Sequence, residues 1–183
     1  LRVIDYKSGA RKFDPTLVYW GLQLQLLLYL AAALSRVPDS HAAGFFYCRI
    51  ADPTVKTESR IREEVEKQIA KKLSLQGISL SDVAILRAQG GSVASMVTKD
   101  GKPNGRYAAS MVDEAGMEKL LDFAKRKAAE LAGEIYRGEM DDSPVERGAF
   151  NACQNCEYSA ICAFDPLRKP RRRLAAKKLD DLL

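Results

Sequence analysis

Several features are scarce in this chain, and each scarcity excludes something. No run of about 18 uncharged apolar residues exists, so no helix is expected to cross a membrane. The greasiest stretch, Leu22 to Leu34, is too short and lies inside a helix that starts polar. No charged-then-apolar leader marks a signal peptide. Glycine pairs once, at Gly90-Gly91, without the lysine and spacing of a phosphate-binding P-loop. Any ATP-driven step therefore belongs to another part of the protein or to a partner. There is one histidine, His41, in a loop beside Pro38, Asp39 and Ser40, and it reads as a solvated residue without a catalytic role. Cysteine occurs four times and is not spread as a secreted disulfide framework. A reducing, cytoplasmic setting is expected. The chain opens on Leu1, already within a strand, which suggests a piece of a longer protein.

What is present is enough for one domain and an appendage. The 183 residues are 46% hydrophobic and can bury a core. The net charge of +5 fits a nucleic-acid partner without specifying one. Val3 and Ile4 read as the end of a buried strand, broken by Ser8 and Gly9. Asp5 and Lys7 are two apart, so both side chains leave an extended strand on the same side. A carboxylate there can hold a divalent cation, and an ammonium can steady developing negative charge or orient water. Alone, Asp-x-Lys arises by chance about once in 300 positions and reads equally as an exposed ion pair.

The following segment adds weight. Asp14-Pro15 is a helix start, with Asp as cap and Pro at the first position. The pattern predicts one buried helix from Thr16 to about Leu34, with Gly21, Gln25 and Tyr29 on one stripe. An amide and a phenol on so apolar a helix need partners.

Together, Ile4-Asp5-Tyr6-Lys7-Ser8-Gly9 and Gln25-Leu26-Leu27-Leu28-Tyr29 resemble the strand motif and the Gln-x-x-x-Tyr helix motif of PD-(D/E)XK nucleases of the RecB-related branch. The string from Gly21 to Leu30 resembles the AddB-type component of AddAB helicase–nucleases, and the resemblance runs from residue 1 to about 166. It implies an α/β restriction-endonuclease-like core, a central mixed sheet flanked by helices, incomplete at its N-terminal side.

The rest of the chain reads in order. Gly44–Ile50 is aromatic and predicts a strand beside the Asp5 strand, ended by Asp52-Pro53. Cys48, alone there, reads as a buried structural thiol. Residues 58–74 predict an amphipathic helix with Ile61, Val65, Ile69 and Leu73 inward. Gly77 is read as ending that helical region, and Val83–Leu86 and Val93–Val97 as two short strands. Lys99 to Gly105 is a turn cluster. Asp113 to about Arg137 predicts a second long, core-facing helix. Asp141-Asp142-Ser143-Pro144 reads as a linker.

Cys153, Cys156 and Cys162 then crowd into ten residues, a spacing that can wrap one zinc or iron–sulfur centre. The fourth ligand is Cys48, a residue outside the chain, or none. The segment from Cys153 to Phe164 is similar to the iron–sulfur segment closing AddB-type nuclease domains. The resemblance implies a [4Fe-4S] cluster that ties the chain end to the domain start, its fourth cysteine lying outside this chain. The expected organisation is a partial nuclease core over 1–138, the cysteine-rich segment over 139–166, and a basic tail over 167–183. That tail, from Arg168 to Lys178, reads equally as a solvated segment or as a phosphate contact.

The resemblance implies Mg2+-dependent DNA hydrolysis, as an exonuclease in double-strand-break repair and recombination, with an AddA-type helicase–nuclease chain as partner. Asp5 and the backbone carbonyl of Tyr6 would hold the cation. Lys7 would position water or stabilise charge. Gln25 and Tyr29 would brace the site and contact the DNA backbone. In the family a further acidic ligand precedes the Asp-x-Lys strand, so the chain by itself is expected to be inactive. The alternative is a degenerate nuclease fold acting as a DNA-binding or assembly scaffold with a structural metal centre.

Overall fold

A computed structural model describes residues 1–51, 53–56, 61–139, 141–148 and 150–183. It builds a four-stranded mixed sheet from β1 (Arg2–Lys7), β2 (Gly44–Arg49), β3 (Gln76–Leu80) and β4 (Met111–Val112). The strands lie in the order β1-β2-β3-β4. β1 and β2 are parallel, β2 and β3 antiparallel, β3 and β4 parallel. The parallel β1–β2 pair needs a crossover. Two helices supply it, α1 (Pro15–Tyr19) and α2 (Gln25–Arg36).

Alternation along the strands sorts side chains into two layers. On one face, Val3, Phe45, Tyr47, Ile78 and Leu80 meet Leu26, Leu27 and Leu30 of α2. They also meet Met117, Leu120, Leu121 and Ala124 of α6 (Glu114–Tyr136). On the other face, Ile4 and Phe46 pack with Leu86, Val93 and Met96. The long helix expected from Asp113 to Arg137 is present as α6, with Asp113 as its cap through Gly116 N (2.8 Å).

Several expectations are corrected. The single helix from Thr16 to Leu34 is two helices broken at Trp20–Leu24. Gly21 sits in the break at φ +79°, a conformation that favours glycine, and therefore shares no helical stripe with Gln25 and Tyr29. Val83–Leu86 is helical, within α4 (Val83–Gln89), because Asp82 accepts from Ile85 N and caps it. Val93 belongs to a short helix, α5 (Gly91–Ala94). Gly77 does not end a helix but lies within β3, where a Cβ would come 2.0 Å from the Phe45 carbonyl oxygen. Glycine here permits close strand approach. The amphipathic helix is α3 (Arg62–Lys72). Val65, Ile69 and Leu73 are half-buried and Ile61 is exposed. Its expected start at 58–60, and Asp52 at the end of β2, lie outside the described residues.

The C-terminal part forms a second small sheet, order β6-β5-β7, from β5 (Val145–Arg147), β6 (Phe150–Asn151) and β7 (Arg172–Arg173). The basic tail is anchored to the domain, although Arg168, Arg172, Arg173 and Lys178 stay exposed. Arg172 and Arg173 pair with Val145 and Glu146. Trp20 Nε1 donates to the Ala175 carbonyl (3.1 Å), Thr16 Oγ1 accepts from Lys177 N (3.0 Å), and Leu182 is buried in the main core.

Candidate active site

β1 is an edge strand of the sheet, and its last residues carry the polar groups. Lys7 accepts at its carbonyl from Ile50 N of the neighbouring strand (2.9 Å). Backbone alternation then turns the Tyr6 carbonyl towards the outer edge of β1, away from β2. The Asp5 and Lys7 side chains share the face packed by α2, just beyond the buried residues. Asp5 keeps 18% of its side-chain surface and Lys7 34%.

The first turn of α2 and the end of β1 form one line of contacts. Lys7 Nζ lies 2.8 Å from Asp5 Oδ2 and donates to Gln25 Oε1 at 3.4 Å. Gln25 Nε2 donates to the Tyr29 hydroxyl at 3.0 Å. The amide thus has both ends assigned, and Tyr29 Oη acts as acceptor. All four residues expected from the motifs are brought together in the order Asp5–Lys7–Gln25–Tyr29. Asp5 Oδ2 is itself buried; its close neighbour is the Lys7 ammonium, in ion-pair contact without hydrogen-bond alignment.

Two supporting residues were not singled out from the sequence. Gln23, 5% exposed, accepts from Asp14 N (2.8 Å) and donates to the Lys12 carbonyl (2.8 Å), tying the loop after β1 to the start of α2. Tyr47 stands opposite Asp5 on β2. Burial pushes its phenol above the ordinary range, with the nearby Gln23 side chain and the Arg11 guanidinium opposing. The signal for Gln23 was present as a polar residue in an apolar run. His41, with its side chain 75% exposed, and Cys48, half-buried, stay outside the site.

A family model described as the PD-(D/E)XK nuclease superfamily matches residues 1–163. The chain belongs to the PD-(D/E)XK nuclease superfamily. Among curated relatives are the B subunits of ATP-dependent helicase/deoxyribonucleases from several bacteria. The chain is 37% identical over 177 residues to the one from Alkaliphilus metalliredigens, covering 90% of this chain and 15% of that protein. It is 37% identical over 179 residues to the one from Moorella thermoacetica, with 91% and 15% covered. For the one from Clostridium kluyveri the identity is 34% over 195 residues, with 99% and 17% covered. The chain therefore spans about one-sixth of the length of these relatives.

A divalent cation would find hard oxygen donors at the end of β1. The buried Asp5 oxygen, without an aligned donor of its own, is the kind of hard ligand magnesium takes, and the outward Tyr6 carbonyl is a second. The cysteine segment offers soft donors. Cys153 and Cys156 are half-buried on one turn, closed by Cys156 N donating to the Cys153 carbonyl (3.3 Å). Cys162 is exposed at the end of α7 (Ser159–Cys162). Among the described residues, no three His, Cys, Asp or Glu side chains converge into a metal-holding group. No helix among them is long and apolar enough to cross a membrane.

Proposed function

We propose that this domain hydrolyses DNA phosphodiesters with Mg2+, as the nuclease part of an ATP-dependent helicase–nuclease acting with an AddA-type partner in double-strand-break repair and recombination. The observation that carries the reading is the unbroken line Asp5–Lys7–Gln25–Tyr29 ending on a buried carboxylate oxygen.

Asp5 and the Tyr6 carbonyl would hold Mg2+, which would supply charge to offset the phosphate and to lower the pKa of a water. The chain's own residues then orient and stabilise. Lys7, held between Asp5 and Gln25, presents its positive charge where the phosphorane-like charge develops. Gln25 fixes Lys7 on one side and Tyr29 on the other. Because Tyr29 accepts from Gln25, its own proton is left for an acceptor outside the protein, such as a phosphate oxygen, and the side chain is 53% exposed to meet one. A water oxygen forms the new bond to phosphorus and gives a proton to solvent, the ester P–O bond breaks, and the departing oxygen takes a proton back from solvent. Asp5 is the one carboxylate in the line, and a six-oxygen shell needs more. The remaining acidic ligand is assigned to a residue outside this chain, so the isolated chain is expected not to cleave.

Cys153, Cys156 and Cys162 are assigned to a [4Fe-4S] cluster whose fourth thiolate also lies outside the chain. Its role is to staple the C-terminal segment. An all-thiolate donor set suits iron–sulfur and zinc alike; the iron–sulfur protein is brown with matching iron and sulfide, and a colourless, zinc-bearing protein overturns the assignment.

The deciding test is Asp5→Asn in the full-length protein assembled with its partner. Mg2+-dependent cleavage is expected to fall at least about 100-fold, with DNA binding and ATP hydrolysis retained. Unchanged cleavage overturns the nuclease reading in favour of a DNA-holding scaffold.

A further inference from the structure

Beside the loop leaving β1 lies a cleft of about 630 Å³. Leu17 and Leu22 form one wall, Val145 and Phe150 the other, with Arg11 and Arg147 among its lining. No carboxylate lines it among the described residues. Phe150 is 54% exposed and Leu22 46% exposed, so the apolar surfaces are open. The two guanidiniums differ. Arg147 is paired with Asp14. Arg11 is exposed and pairs with no carboxylate among the described residues.

The cleft flanks the active site through named bonds. Arg11 is four residues beyond Lys7, on the loop leaving β1. Gln23 holds that loop at Lys12 and Asp14, two residues before Gln25 at the start of α2. The Asp14–Arg147 pair fastens the β5–β6 wall to the loop. An open aromatic ring in one cleft with a guanidinium that has no carboxylate partner among the described residues suits a base joined to a phosphate better than an apolar peptide. Only an unstacked base has a face to offer the ring.

Resting on the nuclease reading, we infer that this cleft holds a nucleotide of single-stranded DNA adjoining the cleaved one, its base stacked on Phe150 and its phosphate on Arg11. The β5–β6 hairpin leads directly into the cysteine segment, so that segment carries one wall of the substrate path.

The test uses the full-length protein with its partner, EDTA, and a fluorescent oligothymidylate. Phe150→Ala and Arg11→Gln are each expected to weaken binding about tenfold, and Phe150→Trp to restore it. Arg11→Gln should also flatten the salt dependence of binding by about one phosphate contact, roughly 0.7 in log–log slope. Both side chains are exposed, so neither variant removes core packing. Wild-type affinity and slope in both variants overturn the subsite and leave the cleft as an interface with another protein segment. Binding in EDTA needs no cleavage, so this result is independent of Asp5→Asn. Loss of cleavage there with normal affinity here sinks the subsite alone, whereas wild-type cleavage in Asp5→Asn sinks the nuclease reading and leaves the subsite to be decided by affinity.

Discussion

Leu26, Leu27, Leu30, Phe45 and Leu120 in the main core are each 2% exposed or less. Over residues 141–183, the described residues that reach comparable burial are Val145 at 7% and Leu182 at 4%. Leu182 achieves it by joining the main core. The C-terminal sheet has strands of two or three residues and is fringed by ion pairs: Arg147 with Asp14, Lys169 with Asp141 and Asp142, Arg173 with Glu146. Exposed ion pairs contribute little each. One region is thus held by burial and the other by charge, short strands and its attachment to the first. A cross-link has the most to stabilise in the second region, and that is where three cysteines lie.

The largest break in this comparison should come from Leu120→Ala. Removing a fully buried side chain should cost about 3 kcal/mol, read as a shift in the denaturation midpoint. Ile161→Ala, at a site 83% exposed, is the counterpart and should change stability by less than about 0.5 kcal/mol. If the two cost the same, the division by burial is wrong.

Asp14→Ala should fall between them. Oδ1 caps α1 through Thr16 N (2.9 Å), and Oδ2 pairs with Arg147. Losing the cap costs about 1 kcal/mol and the half-exposed pair less. The informative readout is hydrogen exchange, which should rise at the β5–β6 hairpin as well as at α1. Protection unchanged at the hairpin would mean that Asp14 does not join the two regions.

The smallest effect is electrostatic. The hydrogen bond from Lys169 holds the Asp141 carboxyl below its ordinary 3.8, and Asp141 holds Lys169 above its ordinary 10.5. The carboxylate's contribution is complete above about pH 4 and lost as pH falls through its lowered value. The ammonium's contribution is complete below about 10.5 and lost as pH rises through its raised value. Asp141 is exposed and Lys169 partly so, and salt should erode the contact. An NMR titration of Asp141 should show a midpoint below 3.8 that rises towards it in Lys169→Ala, with Ser143 and Arg172 still holding it down in part. A midpoint already at 3.8 in the unaltered protein removes this contact from the account.

The legible parts of the chain were those with a local physical signal. Asp14-Pro15 marked its helix start, the aromatic run at Gly44–Arg49 marked its strand, and a three-and-four repeat marked α6. Asp5 and Lys7 on one strand side, and Gln25 and Tyr29 one turn apart, follow from strand and helix periods alone. The illegible parts were those whose local signal was ambiguous. Val83–Leu86 is a short apolar run that fits strand and helix equally, and Asp82 decides it by capping. The break at Trp20–Leu24 is hidden because apolar residues continue through it.

The sequence by itself determined on which side of strand or helix Asp5, Lys7, Gln25 and Tyr29 each stand, because those periods are set by backbone geometry. It also carried the family resemblance. The tertiary structure alone decided that β1 and α2 meet so that Lys7 reaches Gln25, that Gln23 locks the intervening loop, and that the basic tail returns to bury Leu182. It also decided that Gly77 is a strand residue. Each of these depends on a distance between segments far apart in the chain, set by packing the whole core at once, which no local pattern records.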